Sequence, residues 1–132
     1  MDIRSILEQA VKNNASDVFL IAGLPVTQKI NGKLCNTDGT DDILMPAETE
    51  ALVQGMYLLA NGRDMERMQV TGDDDFSFTI PNLSRFRVNV YRQRGSLAAV
   101  VRVVQFDLPE PSSIGIPEAV LQLGMLNKGL VL

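Results

Sequence analysis

Arginine side chains are concentrated in one stretch of this chain, and their characteristic chemistry is the binding of anions. Five of the 12 Lys and Arg residues lie between positions 85 and 102. A guanidinium group stays charged and offers planar, forked donors to phosphate oxygens. Cations placed beside a phosphoryl group during its transfer stabilise the negative charge that builds there. This stretch could supply such cations. The five residues are Arg85, Arg87, Arg92, Arg94 and Arg102.

The alternation of side chains along a strand decides which of these arginines share a face. If residues 84–92 form a strand, Arg85, Arg87 and Asn89 point to one side and the apolar residues between them to the other. The simpler alternative to phosphate binding is that the arginines are solvated and pair with the acidic run Asp73–Asp75. Surface pairs of that kind contribute only ~0–1 kcal/mol to stability.

Other kinds of site chemistry are excluded by composition. The chain has no histidine and one cysteine, Cys35, so it lacks the ligands of an ordinary zinc site and any Ser-His or Cys-His pair. A lone cysteine cannot form an internal disulfide, which favours a reducing compartment and predicts the cytoplasm. The run Asp73–Asp75 lacks the spaced loop of an EF-hand, so we predict a solvated turn before a strand and no metal site.

Length and charge bound the class of protein. The chain has 132 residues, of which 45% are hydrophobic and 21% charged, as expected for one globular domain. Its net charge of -4 and its pI near 4.7 argue against a general nucleic-acid surface. The first seventeen residues include five charged side chains without a long apolar stretch, and therefore predict neither a signal peptide nor a membrane span.

A helix and a short strand are predicted at the N-terminus. Apolar residues at helical spacing predict a helix over 2–13, with the Asp2 side chain as an N-cap that accepts a hydrogen bond from the free amides. A strand is predicted over 17–21. We expect Asp17 to hold the loop before this strand by accepting backbone amides.

A hairpin and two helices are predicted next. Asn31-Gly32 favours a two-residue type I′ turn between short strands within 26–36. A helix is predicted from Pro46 to near Asn61, followed by a shorter helix. Three methionines of these helices are expected in the core rather than in a contact surface for a neighbouring subunit. They are Met56, Met65 and Met68.

The second half of the chain changes to a period of two, which is typical of strands. Strands are predicted over 75–80, 84–92 and 97–105, joined by tight turns into an antiparallel meander. A brief helix is predicted over 117–123, and a strand begins over 129–132. The predicted fold class is α+β: a PAS-like antiparallel sheet of roughly five to six strands with helices packed on one face.

Six segments, in order along the chain, resemble the N-terminal domain of the PilT-like branch of the type II and type IV secretion ATPases. They are similar to that family's ASDxHL, AGxPP, xDG, DFSF and xRFRVN segments and to the strand that leads into its Walker A sequence. The segments are Ala15–Leu20, Ala22–Pro25, Ile30–Gly32, Asp75–Phe78, Ser84–Asn89 and Lys128–Leu132.

The chain departs from the family pattern at four positions. Phe19 stands where the family has histidine, and Val26 stands where it has the second proline. Lys29 replaces an arginine, and Asn31 replaces an aspartate. The change at Lys29 keeps the charge but loses the bidentate fork that arginine offers to phosphate.

The resemblance implies a role for the chain and for four of its cations. Residues 1–132 would be a single N-terminal regulatory and oligomerisation domain of a hexameric pilus-retraction (twitching motility) motor ATPase. The motifs favour retraction over pilus assembly or secretion. Residue by residue, the resemblance implies that the domain contacts nucleotide phosphate, through residues that are not themselves catalytic. These residues are Arg87, Arg102, Arg85 and Lys29.

The resemblance also implies what the chain lacks and what it contacts. Walker A and B motifs are missing, so we expect no ATPase activity from the chain alone and no cofactor in it. A P-loop ATPase domain, binding ATP and Mg, is expected to follow residue 132. The expected partners are that domain, neighbouring subunits of a homohexamer and a pilus platform protein of the inner membrane, with no nucleic acid. The expected location is the cytoplasm, where the motor could attach peripherally to the inner face of the cell membrane.

Two alternatives remain open from the sequence. The chain could be a free-standing PAS-like sensor that binds a small ligand in its core. It could also be a protein-interaction domain without nucleotide contact, in which case the arginines would be dispensable.

Overall fold

A computed structural model describes residues 2–37, 41–106 and 108–130. Within these ranges the chain forms six strands, four α-helices and a 3-10 helix. The helices are α1 (Ile3–Lys12), α2 (Pro46–Leu59), α3 (Glu66–Thr71) and α4 (Glu118–Leu123), and the 3-10 helix is Pro111–Ile114. The strands are β1 (Asp17–Leu20), β2 (Thr27–Ile30), β3 (Lys33–Asn36), β4 (Asp73–Ile80), β5 (Ser84–Gln93) and β6 (Ser96–Val104).

All six strands join one antiparallel sheet in the order β3-β2-β1-β6-β5-β4. The hairpin β2–β3 and the meander β4–β6 are each formed by strands adjacent in sequence. β1 joins them, because it pairs with β2 on one side and with β6 on the other. The predicted α+β class, with an antiparallel sheet, is confirmed.

The core lies between the helices and one face of the sheet, here called the inner face. Strand alternation places Phe86, Val88 and Val101 on this face, and each is fully buried. Leu7 of α1 and Met56 of α2 are fully buried as well. Burying a side chain of this size stabilises the fold by roughly 1.5–3 kcal/mol. Packed side chains thus fill the inner face of the sheet.

The methionines of the two middle helices pack as predicted. Met56 and Met68 are buried in the core, and Met65 is partly buried against it. Their expected role in core packing is confirmed.

The predicted hairpin turn is also confirmed. Asn31 has φ 49° and Gly32 has φ 79°, so both central residues adopt the left-handed conformation of a type I′ turn. The strands that the turn joins pair in register, with Ile30 opposite Lys33.

The first helix is present, but its predicted cap is wrong in one respect. Asp2 occupies the N-cap position with an extended backbone, yet its side chain makes no capping hydrogen bond. Its carbonyl oxygen instead accepts the amide of Ile6. Because Asp2 is exposed, water can satisfy both its carboxylate and the free amides of the first turn.

The acidic run at the start of the meander is not the solvated turn that we predicted. β4 begins at Asp73, two residues earlier than expected, and Asp74 is 1% exposed. The turn lies one residue before the run, at Gly72, whose φ is 82°. The reason is that Tyr57 and Arg63 donate hydrogen bonds to the Asp74 carboxylate, as described below.

The C-terminal segment lies apart from the core. α4 confirms the predicted brief helix, and none of its residues is buried. Gly129 and Leu130 are not part of a strand, contrary to prediction, and Val131 and Leu132 lie outside the described residues. Across the described ranges, every helix is too short or too polar to cross a membrane.

Candidate functional site

Four charged residues form a line across the face of the sheet that points away from the helices, here called the outer face. Lys29 of β2 pairs with Asp17 of β1, Asp17 with Arg102 of β6, and Arg102 with Arg87 of β5. Directly opposed residues of antiparallel strands share a face with Cβ atoms ~4.5–5.5 Å apart. The structure therefore brings three of the four predicted phosphate contacts together in this charged row.

The fourth predicted residue lies beside the charged row. Arg85 is two positions from Arg87 on β5 and points to the same face, as the alternation predicted. Its Nη2 donates a long hydrogen bond of 3.4 Å to Ser77 Oγ. Arg92 lies near the far end of β5 and Arg94 in the turn after it, so neither joins the row.

Arg87 is bound by a carboxylate of the neighbouring strand. Its Nε donates to Asp75 Oδ1 at 3.1 Å, and its Nη2 donates to Asp75 Oδ2 at 3.0 Å. These hydrogen bonds, with the charge of Asp75, raise the pKa of Arg87 above its ordinary value. Both side chains are open to solvent, at 66% and 45% exposure. The sequence left open that the arginines pair with the acidic run Asp73–Asp75. Arg87 does so, through Asp75.

Arg102 is bound by a carboxylate that is nearly buried. Its Nε donates to Asp17 Oδ1 at 3.1 Å, and the Asp17 side chain is 10% exposed against 68% for Arg102. Ser16 Oγ donates to the other carboxylate oxygen at 2.9 Å. Asp17 thus accepts a hydroxyl and a guanidinium rather than the loop amides that we predicted, because the pairing of β1 with β6 brings Arg102 to it.

Two shallow grooves flank Arg87 on the outer face. One has a volume of about 170 Å³ and is lined by Asp17, Asp75, Arg87, Asn89, Val100 and Arg102. The other, of about 400 Å³, lies on the Arg85 side. Ligand pockets that enclose a drug-sized molecule measure roughly 300–1,000 Å³. The groove between Arg87 and Arg102 is thus smaller than a nucleotide needs, and its lining carries two guanidinium and two carboxylate groups.

A second charged cluster, which the sequence analysis missed, holds Asp74 on the inner face. Tyr57 Oη donates to Asp74 Oδ2 at 3.0 Å, and Arg63 donates from Nε and Nη2 at 3.0 Å each. Arg67 Nε lies 3.7 Å from Oδ1. The Arg63 guanidinium also lies 5.3 Å from the centre of the Phe76 ring. The cluster ties the segment between α2 and α3 to β4.

The electrostatics of this cluster follow from burial and hydrogen bonding. Burial acts to raise the pKa of Asp74, but the hydrogen bonds from Arg63 and Tyr57 lower it below its ordinary value. Burial, followed by the hydrogen bond to Asp74, raises the pKa of Tyr57. The alternation of side chains along β4 could have identified Asp74, because it points to the same face of the sheet as Phe76 and Phe78. In the described parts of the chain, no three Asp, Glu, Cys or His side chains are grouped to hold a metal ion.

Comparison with known proteins gives three informative similarities. The type IV pilus retraction ATPase PilT of Pseudomonas aeruginosa is 30% identical over 132 residues, which is all of this chain and 37% of that protein. The type IV pilus ATPase PilU of the same organism is 27% identical over 132 residues and is matched over 33% of its length. A crystal structure of the pilus retraction motor PilT with bound ADP superposes with a TM-score of 0.76 and 31% identity, covering 96% of this chain and 36% of that one.

A more distant structure shows the fold alone. The ATPase DotB of Legionella pneumophila superposes with a TM-score of 0.62 at 23% identity, covering 91% of this chain and 33% of that one. No protein-family model matches the chain.

Fold and sequence point to the same class: the chain is similar to the N-terminal domain of the PilT-like secretion ATPases. Within that class it is PilT-like, as the six motifs predicted. It spans about a third of the length of the curated relatives that it matches.

Proposed function

We propose that this chain is the N-terminal regulatory domain of a hexameric pilus-retraction motor ATPase. In this proposal its outer face lies against a nucleotide site built by a P-loop domain that follows residue 132. The similarity to PilT supports the retraction role. The charged row is the main support for a contribution of arginines to the nucleotide site. In it, Arg87 and Arg102 lie side by side on an exposed face.

The proposed chemistry is electrostatic. Hydrolysis of the γ-phosphate of ATP, with Mg held by the P-loop domain, builds negative charge on the phosphoryl oxygens, and guanidinium groups brought close to them lower the barrier. The chain has no Gly-rich loop ending in Lys-Ser or Lys-Thr, so this activity would belong to the full-length protein. The packed core makes the domain a rigid body, and its movement would carry both arginines toward or away from the nucleotide.

The test is the ATP turnover of the full-length protein with Arg87→Ala or Arg102→Ala. We expect kcat to fall at least tenfold for each variant, since an arginine that stabilises the transition state contributes roughly 10³–10⁵ in rate. Pilus retraction by cells that carry each variant should fall in parallel.

Arg4→Ala is the matched control. Arg4 is an exposed arginine in an ion pair, with Nε 3.0 Å from Glu8, but it lies on α1 in the helical layer. Its loss should leave turnover unchanged. If both outer-face variants also retain full turnover, the proposed role of the arginines is wrong and a pure protein-interaction domain becomes the better account.

A further inference from the structure

Two carboxylates hold the arginines of the charged row, and they do so in different ways. Asp75 is half exposed and meets Arg87 with both oxygens. Asp17 is nearly buried, accepts only Nε of Arg102 and has its second oxygen fixed by Ser16. One carboxylate is thus an exposed surface group, and the other is part of the framework.

We propose that Asp17 is a positioning residue for Arg102, and that Asp75 competes with a nucleotide phosphate group for Arg87. This inference rests on the proposed function, because it assigns roles to the carboxylates only if the two arginines face phosphate. It predicts that Asp75→Asn raises kcat/KM for ATP and that Asp17→Asn lowers it, although both aspartates lie on the same face.

The role of Asp17 follows from which nitrogen it occupies. In the described part of the chain, Arg102 uses Nε for its hydrogen bond to Asp17, which leaves both terminal nitrogens able to donate to other groups. Nε and the two Nη groups lie in one rigid plane, so fixing Nε fixes the direction in which Nη1 and Nη2 can donate. A buried carboxylate held by a second hydrogen bond is a firm support for such a group.

The role of Asp75 follows from exposure and from the geometry of the pair. Its two oxygens occupy the same Nε and Nη2 fork that a phosphate would take. An exposed pair of this kind is weak, ~0–1 kcal/mol, because water screens it. A phosphate group with more charge than a carboxylate can therefore displace Asp75, and the displacement reduces the apparent affinity for nucleotide.

The test compares Asp75→Asn and Asp17→Asn in the full-length protein by steady-state ATP hydrolysis. Asp75→Asn should lower the KM for ATP about two- to fivefold with kcat little changed, since it removes a competitor as strong as an exposed ion pair. Asp17→Asn should lower kcat about tenfold with a smaller change in KM, since it releases a group that must be aligned in the transition state. An unchanged or raised KM for Asp75→Asn, or an unchanged kcat for Asp17→Asn, overturns the respective role.

Asp73→Asn is the control for charge alone. Asp73 lies on the same strand and face as Asp75 and is exposed, but its carboxylate makes no ion pair with a cation among the described residues. It should change KM less than twofold, because exposed charges act weakly at a distance through ~0.15 M salt. A drop in KM equal to that of Asp75→Asn would show a general charge effect and contradict direct competition.

Ser16→Ala keeps the Asp17 role testable if Asp17→Asn folds poorly. Ser16 is exposed, and its substitution removes the hydrogen bond that fixes Asp17 Oδ2 without burying or exposing charge. The expected loss in kcat is about two- to threefold, below that of Asp17→Asn, because the ion pair with Arg102 remains. An unchanged kcat would contradict the positioning role.

An NMR measurement on the 132-residue chain separates this inference from the proposed function. The Nε–H signals of Arg102 and Arg87 should be protected from exchange, Arg102 more strongly, and each should lose protection when its own aspartate is changed to Asn. If the pairs are seen but Arg87→Ala and Arg102→Ala leave turnover intact, the proposed function fails. If those variants abolish turnover and the aspartate variants have no effect, the inference fails alone.

Discussion

The Asp74 carboxylate carries the most hydrogen bonds of any aspartate side chain in the described structure, although it lies on the apolar side of the sheet. Three donor atoms of Tyr57 and Arg63 lie 3.0 Å from its oxygens. A buried carboxylate is tolerated only when its charge is paired and its lone pairs are satisfied. The cluster therefore holds the segment that leads from α2 to α3 in place.

Asp74→Asn should destabilise the 132-residue chain by about 2 kcal/mol. The change removes the charged acceptor and leaves the buried Tyr57 hydroxyl and the Arg63 guanidinium with one weak acceptor to share. The free energy of unfolding in urea, followed by circular dichroism, measures the effect. Asp73→Asn removes a neighbouring exposed carboxylate and should cost less than ~0.5 kcal/mol. Equal effects for the two variants would contradict the importance of the cluster.

At this scale the sequence identified the cations better than their partners. Arg85 and Arg87 were placed on one face correctly, because alternation depends only on the local period of two. The ion pair of Arg102 with Asp17 could not be predicted, because the two residues are 85 positions apart and meet only when their strands pair. Asp74 was missed because the acidic run was treated as one unit rather than as residues of alternating direction.

At the scale of elements, the close approach of α1 to α2 depends on a glycine within a helix. Glycine in a helix interior costs roughly 1 kcal/mol relative to alanine, so its presence at position 55 is unexpected from propensity. A Cβ added at Gly55 would lie 2.8 Å from Cγ2 of Ile3. The missing side chain of α2 thus makes room for the first turn of α1.

Gly55→Ala should therefore destabilise the chain by about 1 kcal/mol in spite of alanine's better helix propensity, because overpacking a core contact costs ~1–3 kcal/mol. In the background Ile3→Ala, which removes the opposing methyl group, the same substitution should stabilise by up to ~1 kcal/mol. Urea unfolding of the four proteins of this double-mutant cycle measures both values. The same sign in both backgrounds would show that Ile3 is not the constraint.

The elements themselves were largely predictable, and their arrangement was not. The type I′ hairpin and the meander follow from turn residues and alternation, and the structure confirms both. The early start of β4 was missed because three consecutive aspartates disfavour a strand by propensity, and tertiary hydrogen bonds override that preference. The insertion of β1 between β2 and β6 is a long-range choice that no local pattern encodes.

At the scale of the whole molecule, acid should weaken the domain partly through one group. The folded-state pKa of Asp74 is lowered, so its contribution to stability is present above the ordinary aspartate value of roughly 3.9 and is lost as pH falls through the folded value. The stability difference between the wild-type chain and Asp74→Asn should be constant from pH 7 to about 5 and then shrink toward pH 3. Urea unfolding at each pH measures it, and a difference that stays constant to pH 3 would contradict the lowered pKa.

The position of β1 has a consequence for synthesis on the ribosome. β1 emerges early, but one of its two neighbours, β6, ends at Val104. At roughly 5–20 residues per second, a nascent chain waits several seconds with one side of β1 unpaired. A translational pause before β6 would lengthen the time in which that open edge can recruit a strand from another nascent chain, whereas a pause after it would not.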